Sequence, residues 1–117
     1  FGVLGSVGNH SLAVRCLHVT PRVLVSGGDD SKVRLWPFTS LDRACALEGH
    51  TASVLVCTTH RGLLWTGGED ATVRLWTIDG NRDCVKTITS HRTPVVAFQP
   101  MDNLMLTFDK GGNGMVW

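Results

Sequence analysis

A histidine, a hydroxyl and a carboxylate recur together in this chain. His10, Ser26 and Asp30 form one set; His50, Thr66 and Asp70 form another. These are the ingredients of a hydrolase, in which an imidazole takes the hydroxyl proton and the carboxylate orients the imidazole. That chemistry also needs an exposed nucleophile and an oxyanion hole. Here each set ends in a Trp six residues after the Asp. A set that repeats with its Trp reads as a buried structural device, so no catalytic residue is assigned.

Other groups suggest ligands and are equally weak. Gly27-Gly28-Asp29-Asp30 resembles an acidic metal-binding turn, but its copy Gly67-Gly68-Glu69-Asp70 favours turn chemistry. No calcium-loop spacing accompanies either. Cys16, Cys45, Cys57 and Cys84 form no Cys-x-x-Cys pair. Cys16 with His18, and Cys57 with His60, are too few for four zinc ligands. Gly111-Gly112-Asn113-Gly114 lacks the Lys-Ser/Thr of a phosphate loop and reads as a loose hairpin. His18 and His60 read as exposed strand-end or turn residues. No metal and no cofactor are expected.

The elements that position these residues are themselves repeated. Trp36, Trp76 and Trp117 are spaced 40 and 41 residues apart, and each follows a His (His10, His50, His91) by 26 residues. Each of Ser26, Thr66 and Thr107 follows its His by 16. A period near forty means stacked supersecondary units. Within each unit, short β-branched runs alternate with turn residues. Ala13–Val19, Val54–Thr59 and Val95–Gln99 read as first strands. Val23–Gly27, Leu63–Gly67 and Leu104–Phe108 are second strands. Lys32–Trp36, Thr72–Trp76 and Gly114–Trp117 are third strands, and Ala44–Leu47 and Cys84–Thr89 fourth. The Gly-Gly-acid-Asp stretches predict tight hairpins, with Gly and Asp taking positive φ. No window has a clean helical period, so the chain reads as all-β.

Composition narrows the function classes. The 117 residues are 43% apolar and 18% charged, with net charge +1. A nucleic-acid surface would need a basic excess, and no apolar run reaches the roughly 18–20 residues of a membrane span. Neither nucleic acid nor membrane insertion is expected. Scattered cysteines fit free buried thiols in a reducing compartment, hence an intracellular location, cytoplasmic or nuclear.

The recurring His…Ser/Thr…Asp…Trp pattern resembles WD40-repeat β-propellers along the whole chain. The residues that carry it are Gly49-His50, the Ser26/Thr66/Thr107 set, Asp30 and Asp70, and Trp36, Trp76 and Trp117. The closing Asp of the Trp-Asp dipeptide is replaced by Pro37 and Thr77, and Asn9-His10 and Ser90-His91 replace Gly-His. The resemblance implies four-stranded antiparallel blades, each pinned by an Asp–His–Ser/Thr–Trp hydrogen-bond chain. In the third repeat Gly111 stands where Asp30 and Asp70 stand. His91 then needs Asp109, two residues upstream, and this blade is expected to be the weakest.

The implied organisation is an outer strand of a preceding blade at 1–9, from Phe1–Val7, then repeats at 10–49, 50–90 and 91–117. The last of these lacks its fourth strand. Propellers close with about four to eight blades, so this is an incomplete ring. The remaining blades are expected from a longer chain or from another copy.

By the same resemblance the function is a non-catalytic scaffold that presents loop faces to a protein or peptide partner. The expected surface holds Asp29, Glu69 and Lys110 before the hairpin Asp place. Leu12-Ala13, Ala52-Ser53 and Thr93-Pro94 follow each His. Asp29 with Glu69 suggests a mildly acidic rim for a basic or polar peptide. Trp65 precedes Thr66, so alternation turns it to the opposite face, between blades. The alternative function is an accessory targeting region of a larger enzyme, motor or signalling protein, or a structural subunit of a large assembly.

Overall fold

The structure, a computed structural model, describes residue 8 and residues 10–117. The strand expected at Phe1–Val7 lies outside the described residues. Strands β1 (Val14–Val19), β2 (Val23–Gly28), β3 (Val33–Pro37) and β4 (Cys45–Leu47) form one sheet in chain order. Strands β5 (Val54–His60), β6 (Leu63–Gly68), β7 (Val73–Trp76) and β8 (Cys84–Ile88) form a second in the same order. Strands β9 (Val95–Met101), β10 (Leu104–Asp109) and β11 (Gly114–Val116) form the third, with β10 central. Every pairing is antiparallel. No helix occurs among the described residues.

Alternation along one strand stacks these blades. On β6, Leu64 joins an apolar cluster with Val23, Val25, Val33 and Leu35 of the first blade. Its neighbour Trp65 joins a second cluster with Val95 and Met105 of the third. Successive side chains point to opposite faces, so the middle blade packs on both neighbours. Val25, Val33, Leu35, Leu64 and Val95 are fully buried, each burial worth about 1.5–3 kcal/mol.

Glycine makes the joints possible. A Cβ on Gly27 would lie 2.7 Å from Val54 Cγ1 and from Cys16 Sγ; one on Gly67 would lie 2.8 Å from Val95 Cγ1. Each glycine is a socket for a valine of the following blade. Gly28 and Gly68 are held against the carbonyls of Ala13 and Ser53. This corrects the sequence reading of these hairpins. None of the four glycines has positive φ; Ser31 (φ 64°) and Ala71 (φ 62°) take it instead. The glycines are needed for close approach, and the left-handed residue is the one after the Asp.

The third hairpin is also not loose. Asp109 N–H donates to Asn113 O at 3.0 Å and Gly112 N–H to Asp109 O at 3.2 Å. Gly112 (φ 85°) takes the left-handed place at little steric cost.

Candidate functional site

Each blade contains one hydrogen-bond chain. In the first, His10 Nδ1 lies 3.0 Å from Asp30 and Nε2 lies 2.7 Å from Ser26 Oγ, which accepts from Trp36 Nε1 at 2.9 Å. In the second, His50 reaches Asp70 at 2.9 Å and Thr66 at 2.7 Å, and Trp76 donates to Thr66 at 2.8 Å. In the third, His91 reaches Asp109 at 2.8 Å and Thr107 at 2.7 Å, and Trp117 donates to Thr107 at 3.0 Å. The roles follow from valence. The indole can only donate, so the hydroxyl accepts from it and passes its own proton toward Nε2. Nδ1–H is then left to donate to the carboxylate.

Electrostatics suit this tautomer. Burial lowers the His50 pKa below 6.5, and the Asp70 carboxylate opposes that only in part, so the ring is neutral. Burial pushes Asp30 and Asp70 up, yet hydrogen bonds from the ring and from backbone N–H groups outweigh it and leave both below the usual range. Asp109 is held at about 2, first by Asn113 N–H and then by His91.

The same geometry spends the hydrolase-like groups. Ser26 is 3% exposed and Thr66 fully buried. Each hydroxyl already serves an indole and an imidazole, so neither is free to attack a substrate. Among the described residues, no three His, Cys, Asp or Glu side chains converge to hold a metal ion.

The rim residues lie at the ends of the blades that carry the histidine loops, and Asp29, Ser53, Glu69 and Lys110 tie one blade to the next. Asp29 accepts from Arg15 Nε at 2.8 Å and Nη2 at 2.7 Å, and from Ser53 Oγ of the second blade at 2.9 Å. Arg15, then Ser53, hold the Asp29 carboxyl at about 2. Glu69 accepts from Lys110 Nζ of the third blade at 3.1 Å. Thr93 Oγ1 accepts from Gly111 N–H at 3.0 Å. Backbone bonds repeat below them: Asp29 N–H to Ala13 O, Glu69 N–H to Ser53 O, and Lys110 N–H to Pro94 O. Sequence reasoning missed Arg15. The signal was its place in β1 beside Val14, which pairs with Gly28.

Three outlying residues differ from expectation. His18 is half-buried and its Nε2 lies 2.8 Å from Thr59 Oγ1, across the first joint. His60 is half-buried, with Nε2 enclosed and unpartnered among the described residues. Cys84 is exposed, while Cys57 is buried and Cys16 and Cys45 are half-buried; β8 is an outer strand exposed from Cys84 to Thr87 and buried only at Ile88. Trp65 packs edge-on against Phe98 of the third blade, ring centres 6.3 Å apart.

The family model described as WD domain, G-beta repeat matches residues 2–37 and 42–77. The chain is similar to the Katanin p80 WD40 repeat-containing subunit B1 homolog KTN80.3 of Arabidopsis thaliana. The match is 42% identical over 48 residues, covering 38% of this chain and 6% of that protein. The chain therefore aligns with only a small part of that relative's length. Among solved structures it is similar to the computationally designed Ika8 protein, with TM-score 0.84 and 25% identity over 95% of this chain and 35% of that one.

Proposed function

The chain belongs to the WD40-repeat family, and on that premise we propose that it is a non-catalytic interaction scaffold whose histidine-loop rim receives a polar or basic peptide segment of a protein partner. WD40 domains are generally protein-interaction scaffolds and generally non-catalytic. The observation that carries the reading is the rim itself. Asp29, Ser53, Glu69 and Lys110 are fixed by bonds between neighbouring blades, and Thr93 is fixed by Gly111. Fixed side chains lose little freedom on binding. A partner's cation would take the place of Arg15 or Lys110 at a carboxylate already in position.

The test is charge reversal at both acids. Asp29→Lys with Glu69→Lys should remove partners captured from a cell extract by the unaltered protein, with the fold intact by circular dichroism. Retention of every partner by the folded double variant refutes the reading.

The second reading is an accessory region that locates a larger protein or assembly. The similarity to a protein named as a katanin subunit favours it. Remaining blades from the same chain or another copy, and an intracellular site of action, cytoplasmic or nuclear, belong to this proposal. A tagged protein that fractionates alone, outside any assembly, would count against it.

A further inference from the structure

The joint between the second and third blades holds a cavity of about 330 Å³ lined by His60, Arg61, Leu63, Trp65, Asn103, Met105 and Trp117. It lies at the strand ends opposite the histidine loops, beside the β5–β6 and β9–β10 turns. Binding cavities start near ~300 Å³ and pair apolar walls with a few polar groups.

Two polar atoms of this lining are buried and unsatisfied. Trp65 is 8% exposed, and its indole Nε1 has no partner among the described residues; neither has His60 Nε2. The other three tryptophans all donate to a hydroxyl. A buried donor without an acceptor is uncommon in a folded protein and points to a group that completes it.

The first joint has a cleft at the matching place, beside Thr20, Arg22, Val23 and Ile78, but without these unpartnered nitrogens. Val25 stands at the place of Trp65 and Thr20 at that of His60. Thr20 Oγ1 is already bonded to Val23, and Ile78 packs on the apolar cluster there. The unpartnered Trp65 indole and His60 imidazole nitrogens are therefore a property of the second joint and not of the repeat.

The mouth is built in place. Arg61 (φ 52°) and Gly62 (φ 79°) form a tight turn of two left-handed residues, and Arg61 Nη1 donates to Asn103 Oδ1 of the next blade. Arg61 carries the only formal charge in the lining. Asp102 neighbours Asn103 in the chain but is not part of the wall. An indole donor and one cation above an apolar floor of Leu63, Met105 and Trp117 call for a carboxylate attached to an apolar group.

We propose that this cleft binds an acidic peptide segment, in which one carboxylate pairs with Arg61 and, as the wall shifts to open the enclosed Trp65 Nε1–H, accepts from it while a flanking apolar side chain rests on Leu63 and Met105. This goes beyond the rim reading and occupies the opposite end of the blades.

The experiment titrates the intact protein carrying these blades with acetyl-Leu-Glu-Leu-amide and follows indole N–H resonances by NMR. Trp65→Phe identifies the Trp65 signal. That signal should shift saturably, while those of Trp36 and Trp76, which lie outside the cleft and whose N–H groups are already bonded, stay still. The Gln-containing peptide and the exposed-site variant Arg61→Gln should each weaken binding about tenfold, as expected for loss of a charge-assisted bond. Should Trp65→Phe fail to fold, the Arg61→Gln titration decides alone. A Trp65 signal that does not move, four signals that move together, or equal binding of the Gln peptide overturns the proposal.

Discussion

His91 Nδ1 lies 2.8 Å from Asp109 Oδ2, although this carboxylate stands two residues earlier in its hairpin than Asp30 and Asp70 do in theirs. Asp109 sits at the end of β10, where the ladder shifts between Phe108 and Asp109. Asn113 N–H donates to its other oxygen at 2.9 Å. The third blade thus completes its chain from a different backbone position.

Asp109→Ala should lower the melting temperature clearly, because it leaves His91 without an acceptor and removes a brace from the hairpin. Asp42→Ala, an exposed change elsewhere, should leave it unaltered. Equal melting of the two variants would show that Asp109 does no structural work.

Thr66→Val keeps the shape of a fully buried side chain but strands the Trp76 indole and the His50 ring. Denaturant unfolding should show a loss of about 1–3 kcal/mol, the usual penalty for a buried unpaired group. Trp76→Ala also opens a cavity at a residue 2% exposed, and about 3–5 kcal/mol should be lost. Trp117→Ala should be milder, since Trp117 is 36% exposed.

Gly67→Val forces a branched side chain into the socket held by Val95 and Phe98. Overpacking of this kind costs about 1–3 kcal/mol. Hydrogen exchange should quicken in β9 and β10, across the joint, more than in β7 within the same blade. Gly8→Ala, with nothing within 4 Å of the added carbon, should be silent.

Acidification should destabilise the protein in two stages. Burial holds His50 and His18 below their ordinary 6.5. The unfolded chain therefore takes up protons first, and stability falls as pH drops below 6.5 toward the folded pKa values. Asp30, Asp70 and Asp109 are depressed below 3.8, Asp109 to about 2. Their contribution is complete above pH 3.8 and is lost as pH falls through the folded values. Urea midpoints measured from pH 8 to pH 2 should fall in both windows; a flat profile between pH 7 and pH 5 would contradict the His50 assignment.

The blades and their pinning groups were legible in the sequence because they depend on local quantities. Strand length and hairpin length fix the interval from His50 to Thr66 to Trp76, so those residues meet whenever the strands pair. The same holds for His10, Ser26 and Trp36. The hairpin glycines were legible as punctuation, but not for their purpose. Only the position of Val54 and Val95 on the following blade explains why Gly27 and Gly67 carry no side chain.

What the tertiary structure alone decided lies between blades. Asp29 and Glu69 look like a free acidic pair in the sequence, but Arg15, Ser53 and Lys110 engage them. Trp65 looks like ordinary packing, and its unsatisfied indole emerges only where His60 and Arg61 meet Asn103 and Met105 across the second joint. The reason is physical. A repeat spacing records what one sheet does with itself, whereas contacts between sheets depend on how far each blade is turned and shifted against the next. That rotation is the joint outcome of many apolar side chains filling one shared space, and no single motif encodes it.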